Sequence, residues 1–167
     1  MRAILLTLAL LLAPAAAYAA EPADPVPAIN ATLDALHDAA AKADGPRYFA
    51  LYTPDAVYIG TDAAERWSIA QFKAYADPYF SKGKGWTYRP RERHVVVADI
   101  PCRCAASFDE LLDSESYGTS RGTGMLVLKD GAWKVSLYAL TFPMPNDLAK
   151  DMTTEIKAFE AKAKPAP

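Results

Sequence analysis

The stretch Tyr117–Phe142, YGTSRGTGMLVLKDGAWKVSLYALTF, constrains this chain more than any other. It reads as two long strands joined at Asp130-Gly131, a dipeptide that tolerates the positive φ angles of a tight hairpin turn. Pairing about that turn sets Leu128 opposite Trp133, Leu126 opposite Val135 and Arg121 opposite Leu140. Alternation then places Leu126, Leu128, Trp133, Val135 and Leu137 on one face, with Gly122, Gly124 and Ala139 leaving room above them. The other face takes Arg121, Thr123, Met125, Val127, Tyr138, Leu140 and Phe142. Neither face is polar enough to lie open to water, so the hairpin is expected at the centre of a sheet covered on both sides.

The N-terminus speaks to compartment. Met1-Arg2 is a short positive region, Ala3 to Ala13 is apolar, and Ala17-Tyr18-Ala19 is a small-x-small cleavage signal. Residues 1–19 therefore read as a signal peptide and 20–26 as a Pro-rich lead. The apolar run is too short to span a bilayer comfortably and no cysteine follows the cleavage site. The expectation is an exported protein, periplasmic or secreted, with no membrane insertion after signal cleavage.

With 18 basic and 20 acidic side chains, net charge −2, the surface has no general attraction for nucleic acid. The two cysteines, Cys102 and Cys104, are not at the C-x-x-C redox spacing. In a strand they would point to one face and a bridge between them would be strained, so two semi-buried thiols are expected. These sulfurs and two histidines suggest no zinc site, and neither metal nor cofactor is expected.

Along the chain, Ile29, Leu33, Leu36 and Ala40 form one helical stripe, with His37 beside it read as a boundary histidine rather than a catalytic one. Asp44-Gly45-Pro46 stops this helix, a short helix follows over Arg47–Tyr52, and Ala56–Ile59 is a short strand. Asp62 with Glu65, and Ser68 with Gln71, have capping-box spacing. Ile69, Phe72, Ala76, Tyr79 and Phe80 continue helically, with Pro78 expected to kink or shorten the run. Trp86–Ala98 reads as a strand with a bulge or edge at Pro90. Cys102–Leu112 runs back, Asp113–Ser116 turns, and the central hairpin follows. Residues 147–167 read as a polar helix capped by Asn146 or Asp147 and a frayed tail.

Helices first, then a four-stranded antiparallel meander, give an α+β fold. The segments FALYTPDAVYIG, GTDAAERW, AASFDELLDS and above all YGTSRGTGMLVLKDGAWKVSLYALTFPMPN resemble the nuclear-transport-factor-2-like superfamily, in its SnoaL-like branch. The resemblance covers residues 27–146. It implies a cone-shaped, curved antiparallel sheet wrapped around the N-terminal helices, a cystatin-like roll that encloses a pocket and often dimerises through the sheet. Members include isomerases, cyclases and dehydratases as well as binding and assembly modules.

Their catalytic sets do not carry over. Ketosteroid-isomerase-like members place a carboxylate base at the end of the first strand. Here that strand ends Val57-Tyr58-Ile59-Gly60, and the next acid, Asp62, reads as a helix cap. Dehydratase-like members use paired histidines, where this chain offers His37 and His94. The Asp-Arg-Asp arrangement of epoxide-hydrolase-like members is not reproduced by Arg91, Arg93 and Asp99. Catalytic residues stay unassigned.

Two groups remain as candidates. With a turn at Asp113–Ser116, Glu110, Arg121 and Tyr138 would form one cluster, Phe108 facing Arg121 and Glu110 diagonal to it. The functional reading is a clamp for an anion or carbonyl with Arg121 as donor. The structural reading is a buried pair at the sheet face or a dimer interface, preferred because Glu110 would already neutralise Arg121. The second group is Glu65 and Trp67, with Tyr58 and Trp86 nearby. It is either an aromatic rim with a polar handle for an apolar ligand, or a cap and a packing residue. The basic run Lys82, Lys84, Arg89, Arg91, Arg93 reads as a charged, solvated strand edge. The function expected is an exported, non-catalytic small-molecule-binding or dimerising accessory module with an aromatic-lined pocket. Its partners would be a small, partly apolar ligand and a second copy. The alternative is a small-molecule isomerase, cyclase or dehydratase.

Overall fold

The computed structural model describes residues 23–163. The expected signal peptide, the start of the Pro-rich lead and the last four residues lie outside this range. No described helix is long and apolar enough to cross a membrane.

Helix α1, Val26–Ala41, forms where the apolar stripe predicts it, and Ile29, Leu33, Leu36, Ala39 and Ala40 are buried. Ala43 takes a positive φ of 53° and turns the chain into α2, Gly45–Ala50. That helix starts earlier than expected because the Asp44 carboxylate caps it, accepting from the Arg47 amide at 3.1 Å. Strand β1 spans Tyr52–Ile59, longer than expected. It runs through exposed Pro54 at a shift in its pairing with the last strand.

Asp62 does not cap a helix. Its carboxylate accepts from the Ala64 amide at 2.8 Å and its own amide donates to Glu65 at 3.2 Å, which closes a tight loop. The loop leads into a short strand absent from the sequence reading, β2, Arg66–Ser68, paired with β1. Helix α3, Ile69–Phe80, opens on the Ser68/Gln71 capping box and accommodates Pro78 close to its end.

Strands β3 (Arg89–Val97), β4 (Ala105–Ser114), β5 (Gly118–Lys129) and β6 (Ala132–Thr141) form the expected meander, and a bulge interrupts β3 between Pro90 and Glu92. The sheet order is β2-β1-β6-β5-β4-β3, antiparallel throughout except for the parallel pair β1/β6.

The register of the central hairpin corrects the sequence reading. Leu128 faces Trp133 and Leu126 faces Val135, but Met125 faces Leu137. Ser136 is therefore an extra residue, and Gly124 makes room for it: a Cβ there would lie 2.0 Å from the Leu137 carbonyl oxygen. Beyond the bulge every β6 side chain changes face. Tyr138 and Leu140 turn inward, Leu137 and Ala139 outward, and Arg121 faces Thr141 rather than Leu140.

One inner row now runs Arg93–Glu110–Gly122–Leu140 and the next Val95–Phe108–Gly124–Tyr138–Tyr58–Trp67. The outer rows include Val96–Ser107–Met125–Leu137–Val57 and His94–Asp109–Thr123–Ala139. Helices α1, α2 and α3 cover the inner face.

Cys102 and Cys104 are not paired into β4 and are not free thiols. They lie in a turn with Arg103 at φ 45°, which brings their Cα atoms to 5.1 Å, and they form a disulfide. After β6, Pro145 rather than Asn146 or Asp147 precedes a one-turn helix, Asn146–Leu148, continued by α4, Ala149–Ala163. Helix α4 leaves Met152, Ile156 and Phe159 exposed.

Candidate functional site

The inner rows meet the helices around two neighbouring spaces that share part of their walls. The outer one is a cleft of about 350 Å³ walled by Tyr58, Trp67, Tyr75, Trp86, Tyr88 and Phe142, with Glu65 and Lys84 as its charged groups. Tyr58, Glu65, Trp67 and Trp86 are thus brought to one site by β1, β2 and the chain after α3. Glu65 folds back over Gly60, where a Cβ would lie 2.1 Å from its carboxylate oxygen. Glu65 also holds the Asp62 amide, so part of its carboxylate is engaged in the loop.

The aromatic wall has a common orientation. Tyr138, Tyr58 and Trp67 follow one another along a sheet row, and their ring planes agree within 14° at centroid spacings of 5.8 and 6.2 Å. Phe72 of α3 stacks on Tyr58 at 3.7 Å and Tyr75 stacks on Trp67 at 4.9 Å. Alternation puts these rings on one face, and the helical spacing of Phe72 and Tyr75 delivers two more against them.

The inner one is a space of about 10 Å³, room for about one water molecule, bounded by His37, Tyr48, Tyr138 and Leu36. It shares Tyr58, Trp86, Tyr88 and Leu140 with the cleft and so lies at its inner end. Behind it is a buried polar network. Glu110 is fully buried, and its Oε1 accepts from His37 Nε2 at 2.7 Å and from the Tyr138 hydroxyl at 3.1 Å. Its Oε2 accepts from Arg93 Nε at 2.8 Å, and Arg93 Nη1 donates to Asp34 of α1 at 2.8 Å.

Burial pushes the Glu110 carboxyl up, but the hydrogen bond from His37 and the charge and hydrogen bond of Arg93 outweigh it and leave the group below its ordinary value. Glu110 is therefore ionised and can only accept. Burial, then the Glu110 charge, pushes the Tyr138 phenol well up and keeps it a donor. Gly122 is what lets the two meet, because a Cβ there would lie 2.3 Å from the Tyr138 hydroxyl and 3.0 Å from Glu110 Oε1.

Of the expected cluster, the structure brings Glu110 and Tyr138 together and leaves Arg121 out. Arg121 is exposed on the outer face, opposite Leu111 and Thr141. Arg93 takes its place, so the basic run is not wholly a solvated edge: Arg89 and Arg91 pair with exposed Glu115 and Asp113, while Arg93 points inward. His37, read as a boundary residue, is bonded into the same network. A signal for Arg93 was present in the sequence. Arg93, Val95 and Val97 alternate, which places the arginine on the apolar face of its strand.

A family model described as a SnoaL-like domain matches residues 29–145. No curated protein matches the chain. Solved structures share the fold. A nuclear-transport-factor-2-like protein of unknown function from Pseudomonas putida is 19% identical, covers 71% of this chain and 87% of its own, and superposes with a TM-score of 0.58. A protein of unknown function from Mycobacterium tuberculosis is 14% identical, with 74% of each chain covered and a TM-score of 0.58. A cystatin-like protein of unknown function from Nostoc punctiforme is 10% identical, covers 71% of this chain and 90% of its own, and gives a TM-score of 0.55.

Proposed function

The chain belongs to the SnoaL-like domain family, and from that premise we propose that it binds a small, flat, partly apolar molecule in the aromatic cleft. The observation that carries this reading is the common orientation of Tyr58, Trp67, Phe72 and Tyr75 around a cleft of about 350 Å³, a size suited to a small ligand. A flat ring laid against such a wall gains apolar burial and stacking together. Glu65 and Lys84 at the wall supply polar contacts that orient it. The wall itself binds rather than reacts.

Titration with naphthol and with nitrobenzisoxazole, followed by tryptophan fluorescence, tests the proposal. Saturable quenching that Trp67→Ala abolishes is expected. A flat response, or equal binding by Trp67→Ala, would overturn the reading. We further propose that the protein is exported and works as a homodimer. The other functional reading, an isomerase, cyclase or dehydratase, is favoured by one observation, the His37–Glu110 pair at the inner end of the cleft.

A further inference from the structure

The Glu110 network does more than balance charges. An ionised carboxylate has no proton to give, and Glu110 receives His37 Nε2 at 2.7 Å, so Nε2 is the ring nitrogen that carries hydrogen. In the neutral imidazole the lone pair then sits on Nδ1. His37 lines the inner space while its Nε2 is taken by Glu110. Arg93 and Tyr138 hold the carboxylate from two further strands, at 2.8 and 3.1 Å, so the ring is held by a rigid partner. A histidine held through one nitrogen by a carboxylate, with the other nitrogen basic, is the arrangement that general bases use.

We propose that His37 is a general base acting on the molecule bound in the cleft, with Glu110 as its positioning residue. This rests on the binding reading above. The ligand class is a flat molecule with an acidic C–H or O–H directed to the inner end. The step is a proton transfer: Nδ1 takes the proton and the electron pair of the broken bond stays with the ligand. That pair moves into an adjacent acceptor, or expels a leaving group within the same molecule. The imidazolium then returns its proton to the product or to water, so no oxidant or cofactor is required. Glu110, Arg93 and Tyr138 face His37 from the sheet, and Asp34 and Asp38 flank it on α1. Glu110 favours the imidazolium that forms, while Arg93 restrains the carboxylate from taking the proton itself.

Nitrobenzisoxazole is a suitable probe because removal of its single ring C–H proton forms the nitrile, breaks the N–O bond and releases a coloured phenolate. Wild-type protein should accelerate this opening above the rate in buffer alone. His37→Gln keeps an N–H for Glu110 and removes the base, so turnover should fall about 100-fold or more while probe binding by tryptophan fluorescence persists. Nitrogen-15 NMR should show hydrogen on Nε2 and none on Nδ1 in the neutral ring. Binding without turnover, turnover unchanged in His37→Gln, or hydrogen on Nδ1 would overturn the proposal and leave the binding reading standing. Absence of probe binding would overturn both.

Discussion

The Tyr138 hydroxyl occupies the space that a side chain at residue 122 would need: a Cβ on Gly122 would lie 2.3 Å from it. Glycine is required here for close approach rather than for backbone freedom, since the positive-φ glycines are Gly83, Gly118 and Gly131. Gly122→Ala should therefore destabilise by about 1–3 kcal/mol through overpacking. Tyr138→Phe alone removes one donor from Glu110 and should cost about 1–2 kcal/mol. The double variant should cost less than the sum, because the phenylalanine removes the closest contact and leaves the ring carbon at 2.9 Å and Glu110 Oε1 at 3.0 Å. Urea denaturation of the four proteins measures the coupling, and strict additivity would contradict it.

Arg93 and Arg121 should behave as opposites. Arg93→Met strands the buried Glu110 charge and is expected to cost about 3–5 kcal/mol, much of it recovered when Glu110→Gln is added. Arg121→Met, on the exposed outer face, should change stability by no more than about 0.5 kcal/mol. Chemical denaturation distinguishes the two; a large cost at Arg121 would contradict the register described above.

Stability should depend on pH through Glu110. Its folded pKa lies below the ordinary 4.5, so the native state holds on to the charge more strongly than the unfolded chain does. The stabilisation is complete above the ordinary carboxylate range and is lost as pH falls through the folded value. Wild-type stability should therefore drop more steeply than that of Glu110→Gln below pH 4.5. Parallel slopes would show that Glu110 does not titrate in that range.

Assembly can be tested on the outer face. Val96 and Met125 are exposed there, and α4 exposes Met152, Ile156 and Phe159 nearby in sequence to the sheet's last strand. Apolar groups in such number are expected to be covered by a second copy. Light scattering should report twice the chain mass, and Met125→Glu should shift it toward the monomer. A wild-type monomer at high micromolar concentration would end the proposal.

Export has its own test. N-terminal sequencing of protein released by osmotic shock should begin at or next to Ala20. An intact Met1 start in the membrane fraction would refute the signal-peptide assignment.

Local patterns made much of the fold legible. The Asp130-Gly131 turn, the α1 stripe, the Ser68/Gln71 box and the bulge at Pro90 each depend on residues close in sequence, and each forms as read. The neighbourhood of Tyr58, Glu65, Trp67 and Trp86 was legible for a related reason. The end of β1, the loop into β2, β2 itself and the segment after α3 deliver these residues, so small errors in register do not separate them. Cys102 and Cys104 were misread because a strand was extended over a turn; with Arg103 at positive φ the chain turns there and their Cα atoms lie 5.1 Å apart.

What the sequence by itself determined is therefore the α+β architecture and the turn of the central hairpin, each set by periodicity or turn chemistry. What only the tertiary structure decided is which arginine meets Glu110 and where Tyr138 points. The extra residue Ser136 turns β6 over beyond the hairpin's end, so Tyr138 and Leu140 enter the core while Arg121 remains outside. Because strand side chains alternate with period two, a slip of one residue exchanges the two faces completely. The room for that slip comes from Gly124 on the neighbouring strand, a contact between residues that no local pattern joins.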